Sequence, residues 1–249
     1  MQILRDIQKV RQQRSTSLAV LIDPESTGPQ QLSRLVRLAT EAQVDYFFVG
    51  GSTVDHSDMV MVLEILEHQQ IPVIIFPGNT NQLSNKADGL LFLSLISGRN
   101  PDLLIGKHVE SVPFLRSSEL ELMPTGYILI DGGNKSSVAY ISNTTPIPHN
   151  SIDLTIATAL AGQYLGLQLI YLEAGSGAKH CVSTEMIAAV KKEISIPLIV
   201  GGGIRTPEKA KAIAEAGADV IVIGNILEKE VELIMDLSIA VHSSKTRIV

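Results

Sequence analysis

The chain has 249 residues, 45% of them hydrophobic and 18% charged, which suits one domain running 1–249. A net charge of −6 without a basic stripe excludes a nucleic-acid partner, and a single cysteine, Cys181, excludes a disulfide framework or a thiolate zinc site. The apolar runs are strand-sized and Met1-Gln2-Ile3-Leu4-Arg5-Asp6 carries charges where a signal peptide needs an apolar core, so the expectation is a cytoplasmic protein without a leader or membrane span.

In chain order, apolar β-type runs alternate with helical patterns. Leu18 to Ile22 reads as strand one, and Gln30 to Ala42 as a helix, with Leu32, Leu35, Val36 and Ala39 at helical spacing. Val44 to Val49 is strand two, followed by a helix containing Met59 to Leu66. Ile71 to Phe76 is strand three and Gly89 to Leu95 strand four. Gly126 to Ile130 is strand five, with Ile152 to Leu165 the helix after it. Leu167 to Leu172, Ile196 to Val200 and Val220 to Ile223 complete the strands, separated by helices around Met186 to Lys192 and Pro207 to Ala216. Glu228 to Val241 reads as one closing helix, and Ser243 to Val249 as a mobile tail. Eight strands in βα alternation favour a closed parallel barrel, whose strands, covered on both faces, account for a mean hydropathy of +0.23.

Two connections break the pattern. Pro77-Gly78-Asn79-Thr80-Asn81-Gln82 leaves little room for a helix before strand four, and Asp131-Gly132-Gly133-Asn134 opens a polar stretch to Pro146-Ile147-Pro148. On a barrel, such connections either belong to the active site or decorate the surface.

Candidate chemistry gathers at strand C-termini, where barrels build their active sites. Asp23 ends strand one in Leu21-Ile22-Asp23-Pro24, and Ser52 follows Gly50-Gly51 after strand two. Together they make a sparse magnesium site whose remaining ligands would be water and phosphate oxygens; the alternative for each is a helix cap. Glu173 ends strand six, and Tyr171 shares its face, so the two could orient a polyol. Gly175, Ser176 and Gly177, then Gly202 and Gly203, then Gly224 and Asn225 expose amides after three successive strands, a setting made for a phosphate. His56, His68, His108, His149, His180 and His242 lack metal-ligand spacing and are assigned to surface or loops.

The string Tyr171-Leu172-Glu173-Ala174-Gly175-Ser176-Gly177-Ala178, with Leu21-Ile22-Asp23-Pro24, Gly50-Gly51-Ser52, Gly201-Gly202-Gly203-Ile204-Arg205 and Gly224-Asn225, resembles the geranylgeranylglyceryl phosphate synthase family over nearly the whole chain. Ser97-Gly98-Arg99-Asn100-Pro101 and Ile141-Ser142-Asn143-Thr144-Thr145-Pro146 are similar to it as well, the latter to its larger, mostly oligomeric branch.

The resemblance implies a modified TIM barrel in which extended chain replaces the third helix and opens a groove for a prenyl tail. It implies sn-glycerol 1-phosphate bound by Tyr171, Leu172, Glu173, Ala174, Gly175, Ser176, Gly177, Gly202, Gly203, Gly224 and Asn225, with Tyr171 and Glu173 catalytic. Magnesium is expected on Asp23 and Ser52, opposite a prenyl diphosphate. A homo-oligomer and only transient contact with a membrane surface are expected. Leu90, Leu91, Leu93, Leu103, Leu104 and Ile105 are candidates for the groove or for ordinary core. Some bacterial relatives carry a lysine just before the Asp-Pro pair, where this chain has Leu21 and Ile22. The rival readings are another phosphate-binding barrel enzyme, an isomerase or lyase with Asp131 as a second acid or base, and a non-catalytic prenyl or phosphate binder.

Overall fold

The computed structural model describes residues 2–134 and 137–244. Eight parallel strands close into a barrel in sequence order: β1 (Ser17–Ile22), β2 (Tyr46–Val49), β3 (Val73–Ile75), β4 (Gly89–Leu95), β5 (Glu121–Leu129), β6 (Leu169–Glu173), β7 (Leu198–Gly201) and β8 (Val220–Ile223). β8 pairs back onto β1 with Ser17 opposite Val220.

Side-chain alternation divides the apolar residues into two layers. Ala19, Phe48, Ile74, Leu91, Met123, Leu169, Tyr171, Ile199 and Val220 point inward and fill the barrel. Leu18, Val20, Phe47, Val73, Ile170, Leu198 and Ile221 point outward under the helices. The outer helices are α2 (Pro29–Glu41), α3 (His56–Leu66), α4 (Lys107–Leu115), α6 (Ile152–Tyr164), α7 (Thr184–Glu193), α8 (Pro207–Ala216) and α10 (Leu233–His242). Two short helices, α5 (Ser137–Ser142) and α9 (Asn225–Lys229), sit at the mouth.

No helix of standard length follows β3. A single 3₁₀ turn, Thr80–Gln82, is the one helical element in a connection otherwise made of bends, a turn and non-helical chain; the resemblance implied that the helix is replaced. The closing segment differs from expectation. It is two helices, because Glu230 leaves helical geometry (φ −133°, ψ 69°) and turns the chain from the mouth onto the barrel wall, burying Val231. Within the tail, Ser243 and Ser244 extend the turn after α10, with Ser244 buried and its hydroxyl bonded to Ala240 O at 2.7 Å; Lys245 to Val249 lie outside the described residues.

The N-terminal face is closed by α1 (Ile3–Gln13), which presents Ile3, Leu4 and Ile7 to the barrel interior. Its first turn is capped by Glu121, whose carboxylate accepts the N–H groups of Gln2, Ile3 and Leu4 at 2.6–3.0 Å. Burial raises the Glu121 pKa, but these donors outweigh it and hold the group below its ordinary value. Three aspartates on the same face stand immediately before a strand and accept an N–H from the first or second residue of the neighbouring strand at 2.7 Å: Asp45 from Leu18, Asp88 from Val73 and Asp219 from Leu198. Asp219 is fully buried and also pairs with Lys191 Nζ at 2.5 Å. Burial lowers the lysine to about 8 against the pull of Asp219.

Removing one partner of a buried pair leaves a charge that water cannot reach. Asp219→Ala is expected to cost about 3–5 kcal/mol in urea unfolding. A loss below about 1 kcal/mol would mean that this pair is no stronger than an exposed one.

Candidate active site

The C-terminal mouth is formed by the loops after the strands. Inward parity carries Tyr171 and then Glu173 up β6, with Glu173 level with Leu129 on β5 and Gly201 on β7. Glu173 is only 6% exposed. Its Oε1 accepts the Gly175 N–H at 2.7 Å. The carboxylate occupies space that β-carbons would otherwise take: a Cβ on Gly201 would lie 2.7 Å from Oε2, and one on Gly202 2.5 Å from Oε1. Burial raises its pKa to about 7, against the Gly175 N–H and the facing Tyr171 hydroxyl. The Tyr171 hydroxyl is itself buried and outside hydrogen-bond geometry to any partner among the described residues. Its ring stacks on Phe76 (5.5 Å, 21°) and meets Tyr127 edge-on (5.2 Å, 84°). Burial, reinforced by the charge of Glu173, keeps both tyrosines protonated.

Around this carboxylate stand the three glycine turns. Gly175, Gly177, Gly202 and Gly203 all have φ between 67° and 98°, a region that side chains disfavour. The turns are tied together. Asn225 Oδ1 accepts from Ser176 Oγ (3.0 Å) and Gly177 N (3.2 Å), and Arg205 donates to the carbonyls of Gly177 (3.2 Å) and Ala178 (2.8 Å). The N–H groups of Ser176, Gly202, Gly203, Gly224 and Asn225 find no acceptor among the described residues. A cluster of open amides at the start of the short helix α9 fits a phosphate. The side chains of Leu172 and Ala174 belong to the outer layer, so only their backbones lie near this cluster.

Across the mouth, Asp23 follows β1. Its Oδ1 accepts the Glu25 N–H at 3.0 Å. It does not cap α2, whose N-cap is Gly28, and Ser52 does not cap α3, whose N-cap is Asp55. The structure brings the two loops together through Gly51, where a Cβ would stand 3.2 Å from both Asp23 oxygens. Thr53 Oγ1 bonds Glu25 Oε2 at 2.9 Å. Burial raises the Asp23 pKa, and the Glu25 charge adds to it against the Glu25 N–H; Glu228 on α9 is raised by burial and by Asp23. This side of the mouth thus gathers the acidic groups Asp23, Glu25 and Glu228, which suits a cation. Among the described residues no three His, Cys, Asp or Glu side chains cluster as a metal site. A cation here would take one carboxylate and one hydroxyl from the chain, as magnesium does when phosphate oxygens complete its shell.

Between the two sides, Leu21, Phe76, Leu93, Leu103, Val138 and Ala139 form a half-buried apolar lining against the barrel interior. Leu93 and Leu103 keep their place as groove candidates. Leu90 and Leu91 do not, because both are buried in the core, and Ile105 faces outward at 60% exposure. Leu104 is half-buried. Asp131 is exposed, and its Oδ1 accepts the Gly133 N–H at 2.9 Å, so it serves its own turn. His108 departs from the surface assignment: it is buried, bonded to Ser94 Oγ at 3.1 Å and packed edge-on to Phe92, and burial lowers its pKa. Arg205, Glu228 and Gln82 also stand at this mouth and were not singled out by motif reading; Arg205 and Gln82 lay inside quoted strings, but an isolated Glu or Gln carries no signal of its own.

Three comparisons bear on this geometry. The PcrB family model matches residues 8–242. The geranylgeranylglyceryl phosphate synthase of Chitinophaga pinensis is 50% identical over 92% of this chain and 91% of its own. The crystal structure of (S)-3-O-geranylgeranylglyceryl phosphate synthase from Thermoplasma acidophilum in complex with its substrate sn-glycerol-1-phosphate superposes with a TM-score of 0.91 at 35% identity, covering 98% of this chain and 99% of that one.

A raised carboxyl pKa destabilises the folded protein once the group ionises. The penalty is absent below the ordinary value of 4.5 and grows until the pH passes about 7. Glu173→Gln is therefore expected to stabilise the free protein at pH 8 by on the order of 1–3 kcal/mol, with the gain fading toward pH 4.5. Melting curves from pH 5 to 8 measure this, and a pH-independent difference would refute the shifted titration.

Proposed function

The chain belongs to the geranylgeranylglyceryl phosphate synthase family, and from that premise we propose that it transfers a geranylgeranyl group from geranylgeranyl diphosphate to the C3 hydroxyl of sn-glycerol 1-phosphate, releasing diphosphate. The observation that carries the reading is the division of one mouth. A buried carboxylate ringed by glycine amides lies on one side, a sparse oxygen-donor pair on the other, and half-buried apolar residues between.

The phosphate of the acceptor binds the open amides after β6, β7 and β8. Glu173 then takes the C3 hydroxyl and accepts its proton as the ether bond forms. Its pKa of about 7 suits that exchange near neutral pH. Tyr171, buried and unpartnered, donates to the acceptor or to Glu173. Fixing the acceptor in this way can supply about 7–11 kcal/mol of the barrier in favourable cases. Asp23 and Ser52 hold magnesium, which when bound would stabilise the negative charge growing on the departing diphosphate. The prenyl tail lies along Phe76, Leu93 and Leu103, gaining roughly 0.8 kcal/mol per buried methylene.

The proposal extends to assembly and location. Ile105 and Val109 are about one helical turn apart in the segment leading into and through α4, and they are 60% and 63% exposed, which supports a homo-oligomer with this face covered. Among the described residues no helix is long and apolar enough to cross a membrane. Action in the cytoplasm with transient membrane contact fits a substrate with one apolar and one ionic end.

Radiolabelled sn-glycerol 1-phosphate, incubated with prenyl diphosphates of several lengths with and without magnesium, tests the reaction. An extractable lipid phosphate, most abundant with the twenty-carbon donor and dependent on magnesium, is expected; none with any donor would refute it. Glu173→Gln should lower kcat by roughly 10²–10⁴-fold, and wild-type kcat/KM should rise to a plateau as the pH passes about 7. Asp23→Asn should abolish turnover yet leave acceptor binding intact in calorimetry; lost acceptor binding would contradict the assignment of Asp23 to the diphosphate side.

A further inference from the structure

Gln82 is the one residue of the 3₁₀ turn Thr80–Gln82 that points into the protein, and it is 1% exposed. Both polar atoms of its carboxamide are bonded. Oε1 accepts the Gly78 N–H at 2.9 Å, and Nε2 donates to Gly51 O at 2.9 Å and Val54 O at 3.2 Å. A buried amide in an extended, glycine-containing connection is expensive unless so satisfied. The two loops it joins are in contact along their backbones. A Cβ on Gly78 would fall 2.3 Å from Gly51 O, and one on Gly50 2.1 Å from Phe76 O. A second tie runs from His56 Nδ1 to Asn81 O at 2.9 Å.

The bond to Gly51 O fixes a particular peptide plane. In a trans peptide the N–H points opposite to the carbonyl. With the Gly51 carbonyl drawn to Gln82, the Ser52 N–H must point away from it. Neither that N–H nor the Ser52 hydroxyl has a partner among the described residues. The same Gly51 lies against the Asp23 carboxylate.

Resting on the function proposed above, we infer that Gln82 is a positioning residue for the leaving group. It holds the Gly51–Ser52 peptide so that the Ser52 amide is preset to donate to diphosphate while the Ser52 hydroxyl oxygen stays free to join Asp23 at the cation. The extended chain that replaces a helix after β3 thus has a second task beyond opening the groove: it delivers the side chain that stiffens the diphosphate loop.

Gln82→Met keeps the volume and removes all three bonds. Gln82→Glu keeps an acceptor for Gly78 but turns a carboxylate oxygen toward two carbonyls. Calorimetry with inorganic pyrophosphate plus magnesium, and separately with sn-glycerol 1-phosphate, reads the two sides of the mouth independently. Both variants should weaken pyrophosphate and lower kcat/KM for the prenyl diphosphate by roughly 10²-fold, the scale of an ångström-sized misplacement, while acceptor affinity stays within about twofold. Hydrogen exchange across residues 51–54 should quicken in the metal-free variants and stay unchanged across 174–178. Unchanged pyrophosphate affinity in a folded variant overturns the inference, as does an equal loss of both ligands or a failure of both variants to fold, which would make Gln82 merely structural. Wild-type protein that binds the acceptor but no magnesium pyrophosphate would instead overturn the function on which the inference rests.

Discussion

The burial of the Glu173 carboxylate is the constraint around which the mouth is arranged. A carboxylate removed from water needs donors, and among the described residues Gly175 N, two residues on, donates to it at 2.7 Å while the Tyr171 hydroxyl faces it. Both neighbouring rim positions, Gly201 and Gly202, must lack side chains for the carboxylate to fit. The left-handed backbone at Gly175 and Gly202 follows the same need, because these turns fold tightly around the acid. The glycines therefore do two things at once: they admit the carboxylate and they leave amides open for an anion. A substrate that brings a hydroxyl to Glu173 and a phosphate to the amides would satisfy both deficits together.

The two faces of the barrel use carboxylates in opposite ways. On the N-terminal face Asp45, Asp88, Glu121 and Asp219 each accept backbone N–H groups, and Asp219 adds a buried lysine. On the C-terminal face Asp23, Glu173 and Glu228 are all held above their ordinary pKa values, with burial the largest cause in each. Carboxylates well supplied with donors stabilise a fold, and those whose donors are outweighed by burial are poised for a ligand. The separation keeps the strain of the working end from the contacts that close the barrel bottom.

How much of this was legible follows from the kind of signal each part leaves. The strands were readable because both of their faces are buried, so they appear as unbroken apolar runs such as Leu18 to Ile22 and Val220 to Ile223. Motifs at strand ends gave Glu173, Asp23 and the glycine turns, because side-chain parity and backbone freedom are written in residue type. Helix α1 was hidden by its composition: Ile3, Leu4, Ile7 and Val10 are spaced for a helix but are diluted by charge. The splitting of the closing helix at Glu230 has no sequence mark, since the residues on both sides favour helix. The aspartates before β2, β4 and β8 look like ordinary turn residues until the register shows which N–H each one accepts. Gln82 was illegible for the same reason, its role being set by a loop about 30 residues earlier.

The missing helix after β3 links these observations. A helix there would cover Phe76 and the inner wall beside it. With extended chain in its place, Phe76 stays half-exposed while its ring stacks on Tyr171, whose hydroxyl faces Glu173. The chain after Phe76 then returns through Gly78 to Gln82 and grips the loop that carries Ser52. One short connection therefore touches all three parts of the mouth: the acid side through Tyr171, the apolar lining through Phe76, and the donor pair through Gln82. Such an arrangement can align a reacting carbon between a leaving group and an acceptor without a lid, because the spacing is fixed by stacked rings and by the hydrogen bonds of the Gln82 side chain to backbone groups.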